Sequence, residues 1–503
     1  MSPVRLTLPA NIRGGEIIVT TAEAAAGSAP LKPPIHVKFA YGLGQVVQSG
    51  GFDVALVFTF FYYTAVLGLS GALAGLAVFI SLALDAVLDP LIGSLSDNLK
   101  SRWGRRLPLM VLSIPLIGLT FGLLFTPPHG LGEPLLFAWL TVMSIAARGA
   151  VSLFNVPYIA LGAELADGYV ERSRVVVWRT VLGLVATAGI VILAYSVFFA
   201  GEGGLERPDG YPGFGWTVGA VLMLSMALCC AGLARYAAAL PQTTAVAAPM
   251  IARLPGEVRE IFANRSFRVL FFSAVAVMAA IGLNATFNTH VNTYVWRIQP
   301  ADIQLLTFGL LAGMLVGVPI APALSKRLEK VALVMIGVSM LNLVWLVLPL
   351  LRAFHIYTPT GPEAVAPLMA GVVFAGVGIG LVLVAYPSMM ADAADEHELL
   401  FGRRREGLYF SGLTFAGKAA SGLGVVVAGF ALDLAGLPRD PAHAALASLP
   451  EPALVRLILA AGPGAAILSI LGVWLMRPYA ISKSAHDAIS AQLIARRGEP
   501  PTT

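Results

Sequence analysis

Residues 72–106 read ALAGLAVFISLALDAVLDPLIGSLSDNLKSRWGRR, in which 26 mostly apolar residues precede a short basic loop. An α-helix rises 1.5 Å per residue, so about 20 apolar residues cross the hydrocarbon core of a bilayer. Lys and Arg are enriched in the cytoplasmic loops of membrane proteins. Residues 72–97 are therefore predicted to span a membrane, with the basic loop on its cytoplasmic side.

The composition of the whole chain agrees with a membrane environment. Of its 503 residues, 57% are hydrophobic and 12% are charged, whereas soluble domains carry about 25% charged residues. The net charge is +5, but the basic residues lie in short loops between apolar runs, so we expect no nucleic-acid partner. Cys229 and Cys230 are adjacent within an apolar run, which favours a packing role over a disulfide.

Twelve apolar runs are long enough to cross a bilayer, and they predict an all-α polytopic membrane protein. The region before them, residues 1–37, is predicted to be a flexible N-terminal tail. The predicted spans are 38–67, 72–97, 108–127, 133–165, 173–200, 214–240, 267–295, 301–324, 331–352, 365–391, 407–436 and 451–476.

The loops between these spans alternate in charge. Loops after even-numbered spans are rich in Lys and Arg, whereas the loop 128–132 reads Pro-His-Gly-Leu-Gly. This alternation places the basic loops and both termini in the cytoplasm. The stretch 241–266 is then a cytoplasmic linker, and residues 477–503 are a cytoplasmic C-terminal tail.

The end of span 4 recurs at the end of span 10. Three pairs of residues are each 228 positions apart, namely Tyr158 and Tyr386, Glu164 and Asp392, and Asp167 and Asp395. Repeated halves are a feature of transporter folds, which bind their substrates between the halves near the membrane midplane. The chain is therefore predicted to form two pseudo-symmetric six-helix bundles, 38–240 and 267–476.

Two acidic residues lie one helical turn apart in the second span. Asp85 and Asp89 share a helix face, and their charges repel unless one is protonated or a cation lies between them. Carboxylates are good ligands for hard cations, and Pro90 frees the carbonyl of Ala86 as a further ligand. The pair predicts a site for Na⁺ or H⁺. Acid–base catalysis is the alternative, but no nucleophile or metal-ligand motif lies nearby.

Other charged residues inside the spans are costly in lipid, so they indicate either pairing within the bundle or a cavity. Lys418 is about eleven residues into its span, roughly 16 Å deep, and we expect it to compete with the cation for the aspartates. Thr414 lies one turn earlier on the same face. Asn155 is predicted to contact a neighbouring helix or a substrate hydroxyl. Arg148 and Asp53 can pair with each other.

The loops 93–106 and 402–407 are dense with charge. Membrane topology alone explains this density. The functional alternative is a cytoplasmic gate, in which acidic residues at helix ends pair with arginines in one conformation and release them in the other. The predicted gate residues are Asp97, Arg102, Arg105, Arg106, Asp392, Asp395 and Arg404.

Several of these motifs occur together in a known family. From about Tyr41 to span 12, the chain resembles the major facilitator superfamily, and within it the glycoside–pentoside–hexuronide:cation symporters, the melibiose permease-like family. The pieces that carry the resemblance are Tyr41-Gly42-Leu43-Gly44, Tyr62-Tyr63-Thr64, Asp85-x-x-x-Asp89-Pro90, Ser101-Arg102-Trp103-Gly104, and Ala391-Asp392 through Lys418.

The resemblance implies roles for individual residues. Asp85 and Asp89 match the paired aspartates that bind the coupling cation, with Asn155 as a further candidate. Thr414 and Lys418 match a threonine and a lysine of helix 11, so Thr414 is a further candidate for cation binding and Lys418 a candidate for substrate binding. Arg179 matches an arginine near the sugar.

The sugar site departs from the family pattern. The two aspartates that hold the sugar in the melibiose permease correspond to Ser49 and Asn155 here, and an aromatic residue that stacks on the sugar corresponds to Ile159. Arg148 stands where the permease has a glycine. Asp53, one turn beyond Ser49, can replace a hydroxyl acceptor. Alternatively, Arg148 and Arg179 hold a carboxylate or phosphate. Gln48 completes the predicted substrate-binding residues.

Together these features predict a cation-coupled secondary symporter of a small solute, with a sugar or glycoside as the leading class. A lysolipid or organic anion is the alternative substrate, because sodium-coupled lysophospholipid carriers share the aspartates and the lysine. A membrane-embedded enzyme or a non-transporting receptor is the alternative of another class; no motif for catalysis is present. We expect a monomer in a bacterial inner membrane, with Na⁺ or H⁺ as the coupling cation and no other cofactor.

Overall fold

The computed structural model describes residues 33–99, 101–166, 169–201, 203–239, 250–403, 405–436 and 449–498. Side chains are described at all of these positions except 50, 52–56, 169–170, 239 and 250–255. The described residues form α-helices and contain no β-strand. The helices are α1 Ile35–Leu43, α2 Asp53–Phe61, α3 Gly71–Asn98, α4 Leu107–Leu124, α5 Glu133–Glu164, α6 Tyr169–Ile192, α7 Gly210–Ala239, α8 Met250–Ala263, α9 Arg265–His290, α10 Pro300–Ser325, α11 Lys330–Ala353, α12 Pro362–Phe401, α13 Glu406–Ala435, α14 Glu451–Leu459, α15 Ala465–Leu475 and α16 Lys483–Gly498.

The membrane spans predicted from hydropathy are present. Eleven helices of the described chain are long and apolar enough to cross a bilayer, and they correspond to predicted spans 2 to 12. The first span is divided into α1 and α2 by a π-helical segment, Val46–Phe52, and ends in a second one, Tyr62–Val66. The all-α polytopic fold is confirmed.

Glycine in the first span allows close packing where the helix is divided. A Cβ added at Gly51 would lie 2.5 Å from a methyl carbon of Leu222, and one at Gly44 would enter the ring of Tyr158. Glycine also lowers helix propensity, and the π-helical segment begins two residues after Gly44. The division of the span follows from tertiary packing, which hydropathy does not report.

We call the end of the molecule that carries residues 101–106 the basic end, and the opposite end the far end. The linker and the C-terminal tail of the sequence prediction each contain a helix at the basic end, α8 and α16. Helix α12 is longer there than the predicted span 365–391; it continues to Phe401 and ends at Gly402, whose φ of 70° favours glycine.

The residues that recur between the two halves of the sequence make corresponding contacts in the structure. Tyr158 donates a hydrogen bond to the carbonyl of Tyr41 in the first span, and Tyr386 pairs with Ser273 in the seventh. At the basic end, Glu164 at the end of span 4 pairs with Arg105 and Arg106, which precede span 3. In the second half, Asp392 near the end of span 10 pairs with Lys330, which precedes span 9.

The halves approach each other closely at the far end, where α3 packs against α13. A Cβ added at Gly71 would lie 2.5 Å from the carbonyl oxygen of Gly429, and one at Gly75 would lie 2.8 Å from that of Val425. Small residues let membrane helices pack backbone to backbone. The far end is therefore closed in this conformation.

Polar contacts reinforce this closure. The carboxylate of Asp433 on α13 accepts hydrogen bonds of 2.9 Å from the backbone N–H groups of Gly71 and Ala72, which begin α3. Thr64 lies 3.0 Å from Nε2 of His290, whose side chain is buried among aromatic rings of the first span. Each contact joins one half to the other.

Candidate functional site

The inner face of α3 carries Ser81, Asp85 and Asp89 at intervals of one helical turn. Asp85 is the more buried of the two acids: 6% of its side chain is exposed, compared with 30% of the Asp89 side chain. The two carboxylates predicted from the sequence thus point into the protein, and Asp89 lies one turn nearer the basic end.

Lys418 joins these acids to the other half. Its Nζ donates a hydrogen bond of 2.7 Å to Oδ2 of Asp85 and one of 2.5 Å to Oδ2 of Asp89. An ammonium group inside a bundle requires such partners. The lysine therefore lies between the two carboxylates and bonds to both.

Helix α5 supplies the remaining groups around Asp85. The hydroxyl of Ser152 donates a hydrogen bond of 2.6 Å to Oδ1 of Asp85. Nε of Arg148, one turn earlier, donates to the hydroxyl of Ser81 at 2.9 Å. Asp85 is therefore held by both halves, through Ser152 on one side and Lys418 on the other.

One carboxylate oxygen of Asp89 is free to accept a hydrogen bond or to bind a cation. Its Oδ1 atom is buried and has no hydrogen-bond partner among the described residues. A buried carboxylate oxygen without a partner is costly. Together with the oxygens of Asp85 and Ser152, it provides the hard donors that Na⁺ requires, and it can equally accept a proton. The residues present fit a coupling cation.

The predicted substrate-binding residues of the first span lie beside α5 and α6. Nδ2 of Asn155 is 3.4 Å from Oε1 of Gln48, and Ser49 accepts a hydrogen bond from Gln45 at 2.9 Å. The carbonyl of Ser49 also accepts from Thr187 of α6 at 3.1 Å. Gln48, Ser49 and Asn155 therefore form one polar area next to the charged cluster.

Other predicted residues lie apart from the cluster. Arg179 of α6 is within hydrogen-bonding reach of Tyr41 in α1. The hydroxyl of Thr414 donates a hydrogen bond to the carbonyl of Phe410 in its own helix, and its predicted role in cation binding stays a prediction. Ile159 is exposed on the surface of α5. The side chain of Asp53, and with it the predicted pairing with Arg148, lies outside the described residues.

A cavity of about 290 Å³ lies mainly in the C-terminal half beneath the far end, and Val57 and Tyr195 of the N-terminal half also line it. Asn284, Asn288 and Asn292 line it at one-turn intervals along α9 and the π-helical segment Val291–Val295, with Trp345 of α11 among its other lining residues. Nδ2 of Asn284 donates to the carbonyl of Ala461, and Nδ2 of Asn292 donates to Oδ1 of Asn288. The cavity thus combines amide groups with an indole in a mostly aliphatic surrounding.

The predicted gate residues pair mainly within their own halves. Arg105 and Arg106 bind Glu164, and Arg106 also lies 3.5 Å from Asp97. The guanidinium of Arg102 lies over the ring of Trp103. In the second half, Asp392 binds Lys330 and His486, and Asp395 binds His486. Arg404 lies outside the described residues.

The sequence analysis missed Ser152 and Ser81. A signal was available, because Ser81 precedes Asp85 by one turn and Ser152 follows Arg148 by one turn. Each hydroxyl therefore lies on the helix face that carries a predicted charge. Glu164 binds both arginines at the basic end, but the sequence indicated it only as the counterpart of Asp392 in the repeated halves.

Comparisons with known proteins agree with this architecture. Residues 40–483 match the family model described as MFS/sugar transport protein. The uncharacterized symporter sll1374 of Synechocystis sp. is 24% identical, over 92% of this chain and 96% of that protein. The glucuronide carrier protein homolog of Escherichia coli is 24% identical, over 79% of this chain and 83% of that protein. The structure of the nucleoside transporter NupG has a TM-score of 0.59 at 15% identity, covering 88% of this chain and 98% of that one.

The fold and the charged cluster between the halves define a multi-pass membrane transporter of the major facilitator fold. The chain belongs to the MFS/sugar transport protein family, because the match extends over both six-helix halves. The resemblance stated from the sequence motifs is confirmed. The likeness to NupG concerns the fold alone.

Proposed function

We propose that the chain is a symporter in which a cation bound at Asp85 and Asp89 drives the movement of a sugar or glycoside. The observation that carries this proposal is the position of Lys418. The two acids belong to the N-terminal half and the lysine to the C-terminal half, and their hydrogen bonds of 2.7 and 2.5 Å connect the halves. The two carboxylates carry one more charge than the ammonium group that bonds to them, and the guanidinium of Arg148 lies next to them on the hydroxyl of Ser81.

Competition between the cation and the lysine supplies a coupling mechanism. A Na⁺ ion or proton that satisfies the carboxylates weakens their bonds to Lys418, and with them a contact between the halves. A ligand shifts a conformational equilibrium only by binding one conformation better than another. The cation does so here, because its site is complete only where the lysine has been displaced.

The cavity in the C-terminal half supports the substrate class. Amide groups bind hydroxyls, and an indole face packs against the C–H groups of a sugar ring, whereas a charged substrate requires a charged partner. The relative named as a glucuronide carrier homolog agrees with a sugar substrate. Arg148 and Arg179 in the other half favour a second candidate, an organic anion such as a uronate, since guanidinium groups bind carboxylates.

Contacts at the two ends support an inward-facing conformation, and the basic loops support an orientation. The far end is closed by Asp433 and by Thr64 with His290, while Glu164 and Asp392 at the basic end pair within their own halves. The basic loops place that end in the cytoplasm. We therefore infer an inward-facing carrier in a bacterial inner membrane, with cytoplasmic termini, that functions as a monomer.

A ligand screen followed by uptake into proteoliposomes tests the proposal. We would first measure thermal stabilisation of the purified protein by p-nitrophenyl glucuronide, p-nitrophenyl glucoside and a lysophospholipid, each with and without 100 mM Na⁺ and at two pH values. The best ligand is then supplied in radiolabelled form. We expect concentrative uptake that requires an inward Na⁺ or H⁺ gradient and falls at least tenfold in Asp89→Asn.

The matched control is Asp487→Asn, which removes an exposed acid on α16 and should leave uptake unchanged. Normal uptake by Asp89→Asn, in the absence of either gradient, would refute the cation role. Exchange of labelled for unlabelled substrate across the vesicle membrane separates a carrier from a receptor, and recovery of chemically altered substrate would indicate an enzyme.

A further inference from the structure

A carboxyl group outside the charged cluster lies between the halves at the far end. Glu206 ends a short 3-10 turn, Gly204–Glu206, in the loop between α6 and α7. A Cβ added at Gly204 would lie 2.8 Å from Pro300, the first residue of α10 in the other half. The Glu206 carboxyl is within hydrogen-bonding reach of the phenol of Tyr294, also in that half. The loop is thus part of the closed far end.

The surroundings of this carboxyl are poor in compensating charge. Oε1 of Glu206 is buried and has no hydrogen-bond partner among the described residues, and the same holds for Oγ1 of Thr293. Both residues line one cavity of about 430 Å³. The unsatisfied Oε1 points to a group that is neutral when the far end is closed, because a carboxylate with one oxygen buried and unpaired, and with a neutral phenol as its hydrogen-bond partner, is disfavoured.

The titratable and charged groups that face Glu206 come from each neighbouring element. They are Tyr62 in the first span, Tyr211 in α7, Tyr294 in the C-terminal half, and Arg297, which lines the same cavity. Arg297 interacts electrostatically with Glu451 of α14. On its own loop, Arg207 donates to the carbonyl of Phe198. Phenols therefore dominate the immediate environment of the carboxyl.

We propose that Glu206 is a proton-binding site whose occupancy is linked to closure of the far end. In the closed conformation the carboxyl is protonated and lies between the halves. When the far end opens, water reaches the group and it ionises. The site is separate from Asp85 and Asp89, so the inference requires only that the far end opens and does not depend on the identity of the transported cation or solute.

The direction of the pH effect follows from proton linkage. Burial raises the pKa of Glu206 from 4.5 to about 7, and the hydrogen bond with Tyr294 offsets only part of that increase. A raised pKa in the closed conformation means that closure takes up a proton. The stabilisation of the closed conformation is therefore complete below pH 4.5, falls as the pH rises, and is lost above about pH 7.

The population of the open far end can be followed through the labelling rate of a single thiol. Thr64 is buried at the contact with His290, so a cysteine at this position reacts with a water-soluble maleimide only when the far end opens. Cys229 and Cys230 would be replaced by alanine to leave one thiol. The labelling rate of Thr64→Cys is measured from pH 5 to pH 8.5 with Glu206 intact and with Glu206→Gln, whose neutral amide imitates the protonated acid.

The ratio of the two rates cancels the ionisation of the thiol itself. We expect this ratio to rise about tenfold per pH unit between pH 5 and pH 7 and then to level off. A ratio that stays constant over this range, or that falls with pH, would overturn the proposal. Loss of coupled uptake in separate experiments would affect the proposed function and leave this ratio unchanged.

A second variant keeps Glu206 itself in place. Tyr294→Phe removes the phenolic hydrogen bond that favours the carboxylate, so its labelling rate relative to that of Thr64→Cys alone should rise as the pH increases above about 7. The same thiol and background are used, and the melting temperature confirms that the protein is folded. If Glu206→Gln does not fold, an unchanged pH profile in Tyr294→Phe is sufficient to reject the proposal.

Discussion

Lys418 and Asp85 are 333 positions apart in the chain, and a hydrogen bond of 2.7 Å joins them across the boundary between the two halves. The charged cluster is therefore an interdomain contact as well as a cation site. Because one end of the contact can be replaced by an ion, occupancy and conformation are connected through the same atoms. Variants of this contact should separate binding from transport.

Replacement of Lys418 by methionine removes the competitor for the carboxylates and keeps most of the side-chain volume. We expect the affinity for Na⁺ or H⁺ to rise at least tenfold, since the cation no longer displaces an ammonium group, while coupled uptake is lost. Ion-dependent thermal stabilisation measures the affinity. The control is Lys326→Met, an exposed lysine of a loop; an unchanged ion affinity in Lys418→Met would show that the lysine does not compete.

The glycine contacts between α3 and α13 lead to a second prediction. Gly75→Val places a side chain against the backbone of α13, because a Cβ at this position would lie only 2.8 Å from the carbonyl oxygen of Val425. Overpacking of this kind costs about 1–3 kcal/mol, so the far end should open more often and the labelling rate of Thr64→Cys should rise about five- to a hundredfold. Gly189→Val is the matched control, because a Cβ there meets nothing within 4 Å among the described residues. Equal rates in both variants would contradict the role of this contact.

Much of this architecture can be predicted from the sequence, because lipid imposes a length and a polarity on each span. The carboxylates of Asp85 and Asp89 were also predictable, since charge inside a span needs a reason. The depth of Lys418 suggested an acidic partner and a competitor for the cation. Its hydrogen bonds to both aspartates, however, depend on how two helices from different halves pack together.

Other features could not be predicted because they depend on tertiary packing. The division of the first span requires the ring of Tyr158 and the side chain of Leu222 to pack on its glycines. Glu206 lies in a loop without a periodic pattern, so nothing in the sequence separates it from an ordinary exposed acid.

The cap that Asp433 provides for α3 gives a third prediction. Asp433→Ala leaves the N–H groups of Gly71 and Ala72 without their carboxylate, and loss of a helix cap costs about 0.5–2 kcal/mol. The closed far end should then be about two- to thirtyfold less favoured. Electron–electron distances between spin labels at His129→Cys and Ile356→Cys, exposed on opposite halves, would report a larger open population.

Asp433→Asn retains one acceptor oxygen, so its effect should lie between those of the wild type and Asp433→Ala. Asp209→Ala removes an exposed acid at the same end and serves as the control. Identical distance distributions in Asp433→Ala and Asp209→Ala would exclude the cap as a contributor to closure.

The linker helix α8 provides a prediction about pH at the basic end. Burial alone would raise the pKa of Glu260, but hydrogen bonds with Arg405 and His397 outweigh it and lower the pKa below 4.5. A lowered pKa contributes stability above pH 4.5 that is lost as the pH falls further.

Glu260→Gln should therefore lower the melting temperature at pH 7, by an amount that corresponds to no more than about 1 kcal/mol for a partly exposed pair. The difference between the variant and the wild type should shrink as the pH falls below 4.5, whereas Glu363→Gln, an exposed acid in the first turn of α12, should match the wild type throughout. A difference that persists at the lowest pH would mean that Glu260 holds the linker helix through its shape and not through its charge.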